Sequence, residues 1–225
     1  MVQGILWMLD NGAKWKDLPR RFGAKSTVHR WFQRWVADGL FEAILRDAGR
    51  CVEERDGYRL YECFIDGTFA KAKGGGDGIG CTRVGKGVKI MVLVDARGLP
   101  VAMDTTSASP HESRLVQRLF DFMLTAQTPE RVIGDPAYDC DQLDEELAER
   151  GTELIAPHRV NRKPENVTQD RRPLQRYRRR WKVERTRAWI QHFRRLCIRW
   201  EKSTMLFRGF LHLACTVLLL RQVLG

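Results

Sequence analysis

Residues 57–105 constrain the fold most. Helical spacing ends at Arg55-Asp56-Gly57, and strand-like runs follow it. Tyr61–Asp66 (YECFID) reads as a strand, Val88–Asp95 (VKIMVLVD) as a continuous apolar strand, and Leu99–Thr105 as a third. A glycine- and lysine-rich hairpin, Gly67–Gly87, joins the first two, and Arg97-Gly98 supplies a tight turn between the second and third. Beyond them the pattern alternates. Ser109-Pro110-His111-Glu112 reads as a helix start, with Ser109 as N-cap, Pro110 at the first helical position and Glu112 completing a capping box. That helix carries Leu115, Leu119, Phe122 and Met123. Arg131–Gly134 is a fourth strand ending at Asp135, Asp139 or Asp141 opens a helix that closes at Gly151, and Glu153–Ala156 is a short fifth strand. Hairpin-joined strands followed by alternating helices and strands predict an α/β fold, a mixed sheet with helices on both faces.

Residues 1–55 read as helices. Met1–Asp10 places Val2, Ile5, Leu6 and Leu9 on one face, with Gly12 as the stop, and the pattern is already under way at Met1, which suggests that residues precede it. Ser26 or Thr27 caps a second helix with the stripe Val28, Trp31, Phe32, Trp35 and Val36, and its opposite face carries His29, Arg30, Gln33 and Arg34. A third carries Phe41, Ile44, Leu45 and Ala48. These short helices fit either a helix-turn-helix DNA reader using Arg30 and Arg34, or a small bundle used for packing or dimerisation. At the other end, Gly209–Gly225 is apolar but too short to span a bilayer, and reads as a packed terminal helix.

The net charge is +11, and it is concentrated. Residues 158–208 hold 17 Lys/Arg against 4 Asp/Glu, so the rest of the chain is slightly acidic. Charge gathered in this way points to a polyanion, nucleic acid above all. The 6 cysteines show no metal-finger spacing and read as reduced, buried thiols of a cytoplasmic protein.

The centre of the basic region is Tyr177–Arg195, YRRRWKVERTRAWIQHFRR. Read as one helix, it gathers Tyr177, Trp181, Ala188, Trp189 and Phe193 near one stripe, with Glu184 pointing to the same side. An inward carboxylate on a basic helix is aimed at a cation, either a metal ion or an arginine such as Arg180 or Arg187. Asp66 ends the first strand and Asp135 the fourth. If these strands are neighbours, the two carboxylates meet at the carboxyl end of the sheet, where open α/β sheets place their sites, and they repel unless a cation lies between them. With Glu184 they form an oxygen-only set suited to Mg²⁺ or Mn²⁺. Two such ions serve phosphodiester chemistry. Arg162, Lys163, Arg178, Arg179, Lys182 and Arg185, with Lys86 of the glycine-rich hairpin, are then candidate DNA contacts.

YECFIDGTF, VIGDPAYD and Tyr177-x2-Arg180-x3-Glu184 resemble the three blocks of DDE transposases of bacterial insertion sequences, in the IS-five and IS-four group. GILWMLDNGAKWKDLP with STVHRWFQRW resembles the helical DNA-binding module that precedes the catalytic domain in the IS-five branch. The resemblance implies a ribonuclease-H-like fold for residues 56–225, a DNA-binding module at 1–55, and Asp66, Asp135 and Glu184 as the metal-binding triad. It implies cleavage at transposon ends, transfer of a 3′-hydroxyl into target DNA, Tyr177 and Arg180 as accessory residues, and a dimer or larger assembly joining two ends of double-stranded DNA. The family signature continues with a basic residue seven positions after the glutamate. Here that position is Gln191, with Arg194 three residues on.

Two other readings share these features. One is a DNA-binding remnant that occupies transposon ends and represses; the other is a metal nuclease acting on RNA or repair intermediates. Gly80-x4-Gly85-Lys86 lacks the Ser/Thr and the following helix of a phosphate-binding loop. His111 reads as a helix-start residue, and Asp95, at the far end of the sheet, is excluded from the triad. Trp181 and Trp189 read as core residues, or as platforms for an unpaired base.

Overall fold

The computed structural model describes residues 1–162 and 171–225. Helices α1 (Val2–Asn11), α2 (Lys25–Ala37) and α3 (Leu40–Arg55) come first. Strands β1 (Cys63–Ala72), β2 (Gly80–Thr82), β3 (Gly85–Val94) and β4 (Pro100–Ser107) follow. Then come α4 (Val116–Phe120), β5 (Arg131–Ile133), α5 (Asp141–Ala148), β6 (Glu153–Ile155) and α6 (Arg171–Leu174). The chain ends with α7 (Trp181–His192), α8 (Arg194–Cys197), β7 (Ile198–Arg199) and α9 (Thr204–Leu224).

The sheet runs β2-β3-β1-β5-β6, with β4 paired to β3 and β7 to β1. β1, β3 and β4 are antiparallel, while β5 and β6 run parallel to β1. This is the expected mixed sheet, entered through hairpins and completed by crossovers. β3 is buried along most of its length because elements cover both of its faces.

Several boundaries differ from expectation. β1 does not end at Asp66; it continues to Ala72, because Gly67–Lys71 pair with Gly87–Met91. The expected helix at Ser109 begins later. Its first turn is a tight one over Glu112–Leu115, capped by the ring of His111, which accepts from the Ser113 N–H. α2 starts at Lys25 with no side-chain cap, so neither Ser26 nor Thr27 serves. The basic helix is not continuous: Gln175–Arg179 form a 3₁₀ segment, and Phe193, with ψ 93°, breaks the chain between α7 and α8. The buried face of α7 is Val183, Thr186 and Ile190, whereas Trp181 and Trp189 are 51% and 42% exposed and so are not core residues. Cysteines 63 and 215 are buried as expected, but 51, 81 and 197 are exposed; all are free.

The N-terminal helices share one core with the C-terminal helix. Ile5, Phe32, Leu45, Phe207, Phe210 and Leu211 belong to the cluster that also holds Phe64, Val92 and Ile133. Phe32 stacks on Phe210 with ring centroids 4.3 Å apart. α9 starts five residues before Gly209 and is 21 residues long. Among the described helices it alone has the length and mean hydropathy (1.4) to cross a membrane, so the expectation that it is too short fails; 61% of that window is nevertheless buried against the rest of the protein. Gly209 permits the packing: a Cβ there would stand 2.6 Å from Cγ2 of Val36. Valine in a helix has essentially one rotamer and cannot swing aside. Gly209→Val is therefore expected to lower stability by about 2 kcal/mol, overpacking outweighing the gain in helix propensity. An unchanged thermal midpoint would show that α2 and α9 separate freely.

Candidate active site

The site forms where β1, β5 and α7 meet. Phe64 pairs with Ile133 in the parallel β1–β5 ladder, and two residues further along each strand lie Asp66 and Asp135. The two strands are neighbours, which is the condition under which the carboxylates meet. Gly134 leaves room for the ring of Tyr138, which a Cβ would approach to 2.6 Å. The turn this allows lets Asp135 cap the next segment: its Oδ1 accepts from the Ala137 N–H at 2.8 Å, leaving Oδ2 for the site.

α7 is docked by Thr186, whose hydroxyl donates to the Gly98 carbonyl at 2.5 Å, and by Arg185, which donates to the Arg97 carbonyl at 2.6 Å. With Val183, Thr186 and Ile190 facing the sheet, helical spacing sends Arg180, Glu184 and Arg187 along one flank toward Asp66. Arg180 lies at the centre. Its Nη2 is 2.6 Å from Asp66 Oδ1 and 3.9 Å from Asp135 Oδ2, and its Nη1 is 3.4 Å from Glu184 Oε1. Arg187 stands 3.3 Å from the other Asp66 oxygen, Oδ2. The arrangement brings together all three predicted carboxylates, but around a guanidinium. Glu184 does not point inward as expected; its side chain is 51% exposed. Arg187, named from the sequence as a partner of Glu184, instead faces Asp66.

Burial pushes the Asp66 carboxyl above the usual carboxylate range, more strongly than Arg180 and Arg187 pull it down, and nearby Asp135 and Glu112 add to the rise. Its Oδ2 is buried and accepts no hydrogen bond from the described residues. A carboxylate so placed favours a compact cation, and carboxylate oxygens are the donors that Mg²⁺ and Mn²⁺ prefer. Asp66 and Asp135 thus fit an ion by chemistry and position, with Glu184 at the rim. Among the described residues, no three acidic, histidine or cysteine side chains stand close enough to hold an ion as they are. Loading the set requires the arginines to give way.

A second carboxylate, missed from the sequence, organises the basic segment. Glu62 is fully buried just before β1, and its Oε1 accepts from Arg179 at 2.6 Å and Arg176 at 3.1 Å, while Lys182 lies 4.0 Å from Oε2. Arg179 and Lys182, expected on DNA, are anchored there. The signal was available: a lone acid inside the apolar run YECFI needs a cationic partner when it folds inward. Arg162 is likewise engaged, with Asp139 and Asp141. Asp139 is held below its usual range despite burial, because the Arg159 N–H and His158 hydrogen-bond to it and Arg162 adds charge. Arg178, Arg30, Arg34 and Lys86 are exposed, Arg34 pairing with Asp38 at 3.6 Å. Arg185 lies between Trp181 and Trp189, 5.0 and 4.8 Å from their ring centroids. Tyr177 stacks on Arg180 at 5.8 Å. Lys163 lies outside the described residues.

Asp95 is occupied elsewhere, accepting from the Arg97, Leu99 and Arg59 N–H groups at 2.8, 2.9 and 3.1 Å around the β3–β4 turn. Asp104 pairs with Arg118 at 2.7 Å and Arg208 at 3.5 Å.

Comparison with known proteins gives concordant matches. The family model described as a transposase DDE domain matches residues 59–219, and that of a putative transposase of the IS4/5 family matches residues 1–45. A putative transposase for insertion sequence element IS402 from Burkholderia cepacia is 33% identical over 144 residues, 60% of this chain and 64% of the relative. The chain thus spans less than two thirds of that protein. A putative transposase for insertion sequence element IS6501 from Brucella ovis is 30% identical over 137 residues, 59% of this chain and 98% of the relative. Among solved structures, a piggyBac transposase synaptic complex with hairpin DNA aligns with a TM-score of 0.49 and 13% identity, over 69% of this chain and 45% of that one.

Proposed function

The chain belongs to the transposase DDE domain family, and on that premise we propose that it cuts DNA at the ends of a mobile element and joins the freed 3′-hydroxyl to target DNA. The observation that carries this reading is the meeting of Asp66 and Asp135 from neighbouring strands, with Glu184 reaching the same guanidinium from α7.

In this reading Asp66 and Asp135 hold Mg²⁺ or Mn²⁺, two ions in all, and Glu184 completes the set as Arg180 turns toward DNA. The ions, when bound, supply Lewis-acid activation of the attacking oxygen and stabilise the leaving one. The protein's own contribution is position. The β1–β5 ladder fixes the two aspartates, Glu62 secures the basic segment, and α7 carries Glu184 and the arginines over the site. Exposed Arg178, with Arg180 and Tyr177, would meet phosphates of the cut strand; Lys163 and Arg185 are further candidate contacts, as are Arg162, Arg179 and Lys182 once they leave the carboxylates that hold them. Residues 1–55 are read as the DNA-reading part, with Arg30 and Arg34 on α2, and residues 56–225 as the catalytic part, with Lys86 on β3 meeting the DNA backbone. The separate family matches support this division. Joining two ends calls for at least a dimer on double-stranded DNA.

The test is Mn²⁺-dependent nicking of DNA carrying the ends that flank the gene, for the wild type and Glu184→Ala side by side. Nicking by the wild type alone is expected. Tight DNA binding by both without nicking would instead favour a repressor that occupies the ends.

A further inference from the structure

The two arginines on Asp66 are not equivalent. Arg180 is the more enclosed, its side chain 13% exposed, and it faces three carboxylates. Releasing it breaks three contacts. The Arg187 side chain is 45% exposed and, among the described residues, makes one ion contact, 3.3 Å to Asp66 Oδ2. That oxygen is the buried one that accepts no hydrogen bond from the described residues. Arg187 therefore lies over the part of Asp66 best suited to a cation, at the cost of a single contact when it leaves. Its seat on α7, one turn beyond Glu184, also faces it outward. A guanidinium prefers a phosphate, which it can grip with two parallel hydrogen bonds, to a carboxylate oxygen it meets at 3.3 Å without a hydrogen bond.

We propose that Arg187 is a positioning residue that covers Asp66 Oδ2 in the DNA-free protein and moves to a DNA phosphate on binding, so that DNA opens the cation site. The inference rests on the reading of Asp66 as a cation ligand given above. It makes DNA and divalent cation bind cooperatively, because each favours the state in which Arg187 has left Asp66. By linkage the coupling is equal in both directions.

The experiment is titration of the full chain with Mn²⁺ alone, followed by the electron paramagnetic resonance of free Mn²⁺, with and without a duplex carrying an element end. Four proteins are compared: wild type, Arg187→Gln, Arg114→Gln and Asp66→Asn. Arg187→Gln is expected to bind Mn²⁺ about tenfold more tightly than wild type without DNA, on the scale seen when groups around metal ligands are changed. Duplex DNA is expected to tighten Mn²⁺ binding by wild type on the order of tenfold and by Arg187→Gln far less. Arg114→Gln removes the same charge from an exposed position two residues after Glu112, itself near Asp66, and is expected to behave as wild type, which separates a local cover from general electrostatics. A merely structural role for Arg187 would not raise metal affinity. Equal Mn²⁺ binding by Arg187→Gln and wild type, with Asp66→Asn impaired, overturns this inference alone. Equal binding by Asp66→Asn and wild type overturns the site assignment beneath it. Equal gains in Arg114→Gln and Arg187→Gln overturn the local cover. The Arg187 side chain is half in solvent, so the glutamine variant keeps the fold, and Arg187→Lys, which keeps the charge, is expected to return Mn²⁺ affinity toward wild type.

Discussion

Replacing Asp66 by asparagine is expected to reduce DNA cleavage at least about a thousandfold, the scale of losing one member of a catalytic group that acts as a unit. DNA binding measured in Ca²⁺ is expected to survive. The variant should also melt no lower than wild type in chelator at neutral pH, and this part follows from the sign of the titration. Burial raises the folded-state pKa of Asp66. Between the unfolded value and that raised value, the folded protein binds the extra proton, so the stability attached to this carboxyl is greatest at low pH and falls as pH rises through the window. At neutral pH the ionised carboxylate is a cost that asparagine removes. Loss of cleavage with a retained or raised melting temperature is the pattern of a site held against folding preference. A variant that loses cleavage, DNA binding and thermal stability together would make Asp66 structural instead.

What the sequence revealed follows the strength of its local patterns. β3 was legible because VKIMVLVD is too apolar for any exposed element, and the β3–β4 turn because Gly98 sits at φ 89° where the hairpin closes. β1 was read too short. Gly67–Ala72 look like loop because glycine, alanine and lysine are poor strand signals, yet pairing with β3 extends the strand through them. Tertiary pairing overrode propensity there. The late start of the helix after β4 has a similar cause. The Ser109 hydroxyl oxygen accepts from the Cys81 N–H, tying it to the β2 hairpin rather than to a helix end.

Asp66 and Asp135 come together because β1 and β5 are parallel neighbours, although β1 runs on past Asp66 rather than ending there. The orientation of Glu184 was not legible. The assumed stripe used Trp181 and Trp189 as core residues, but Val183, Thr186 and Ile190 face the sheet, and Thr186 earns its buried place by a hydrogen bond to Gly98. A threonine does not announce itself as core, and two tryptophans do. The division of labour among arginines was also hidden, since composition counts charges without partners. Arg176 and Arg179 serve Glu62, Arg180 serves Asp66, Asp135 and Glu184, and Arg195 is spent inside the protein.

That last residue carries the second large effect. Arg195 and Glu201 are 1% and 6% exposed, and Arg195 Nε donates to Glu201 Oε1 at 2.8 Å. Arg195 also donates to the Ala13 carbonyl, in the segment between α1 and α2, so one guanidinium joins the N-terminal helices to the turn before α9. Arg195→Met leaves a buried carboxylate without its counter-charge. The expected loss is about 3–5 kcal/mol, which for a chain of this size lowers the melting temperature by roughly 10 °C. The pair itself is not the source of that figure, because its desolvation offsets much of its attraction. Arg195→Met with Glu201→Leu is therefore expected to recover most of the loss, a strongly non-additive cycle that calorimetry on the four proteins would read directly. If the double variant is as unstable as the sum of the singles, the Ala13 link rather than the stranded charge carries the effect. In that case the helical part should loosen first, detected as early amide exchange in α1 and α2 while β1 and β3 stay protected.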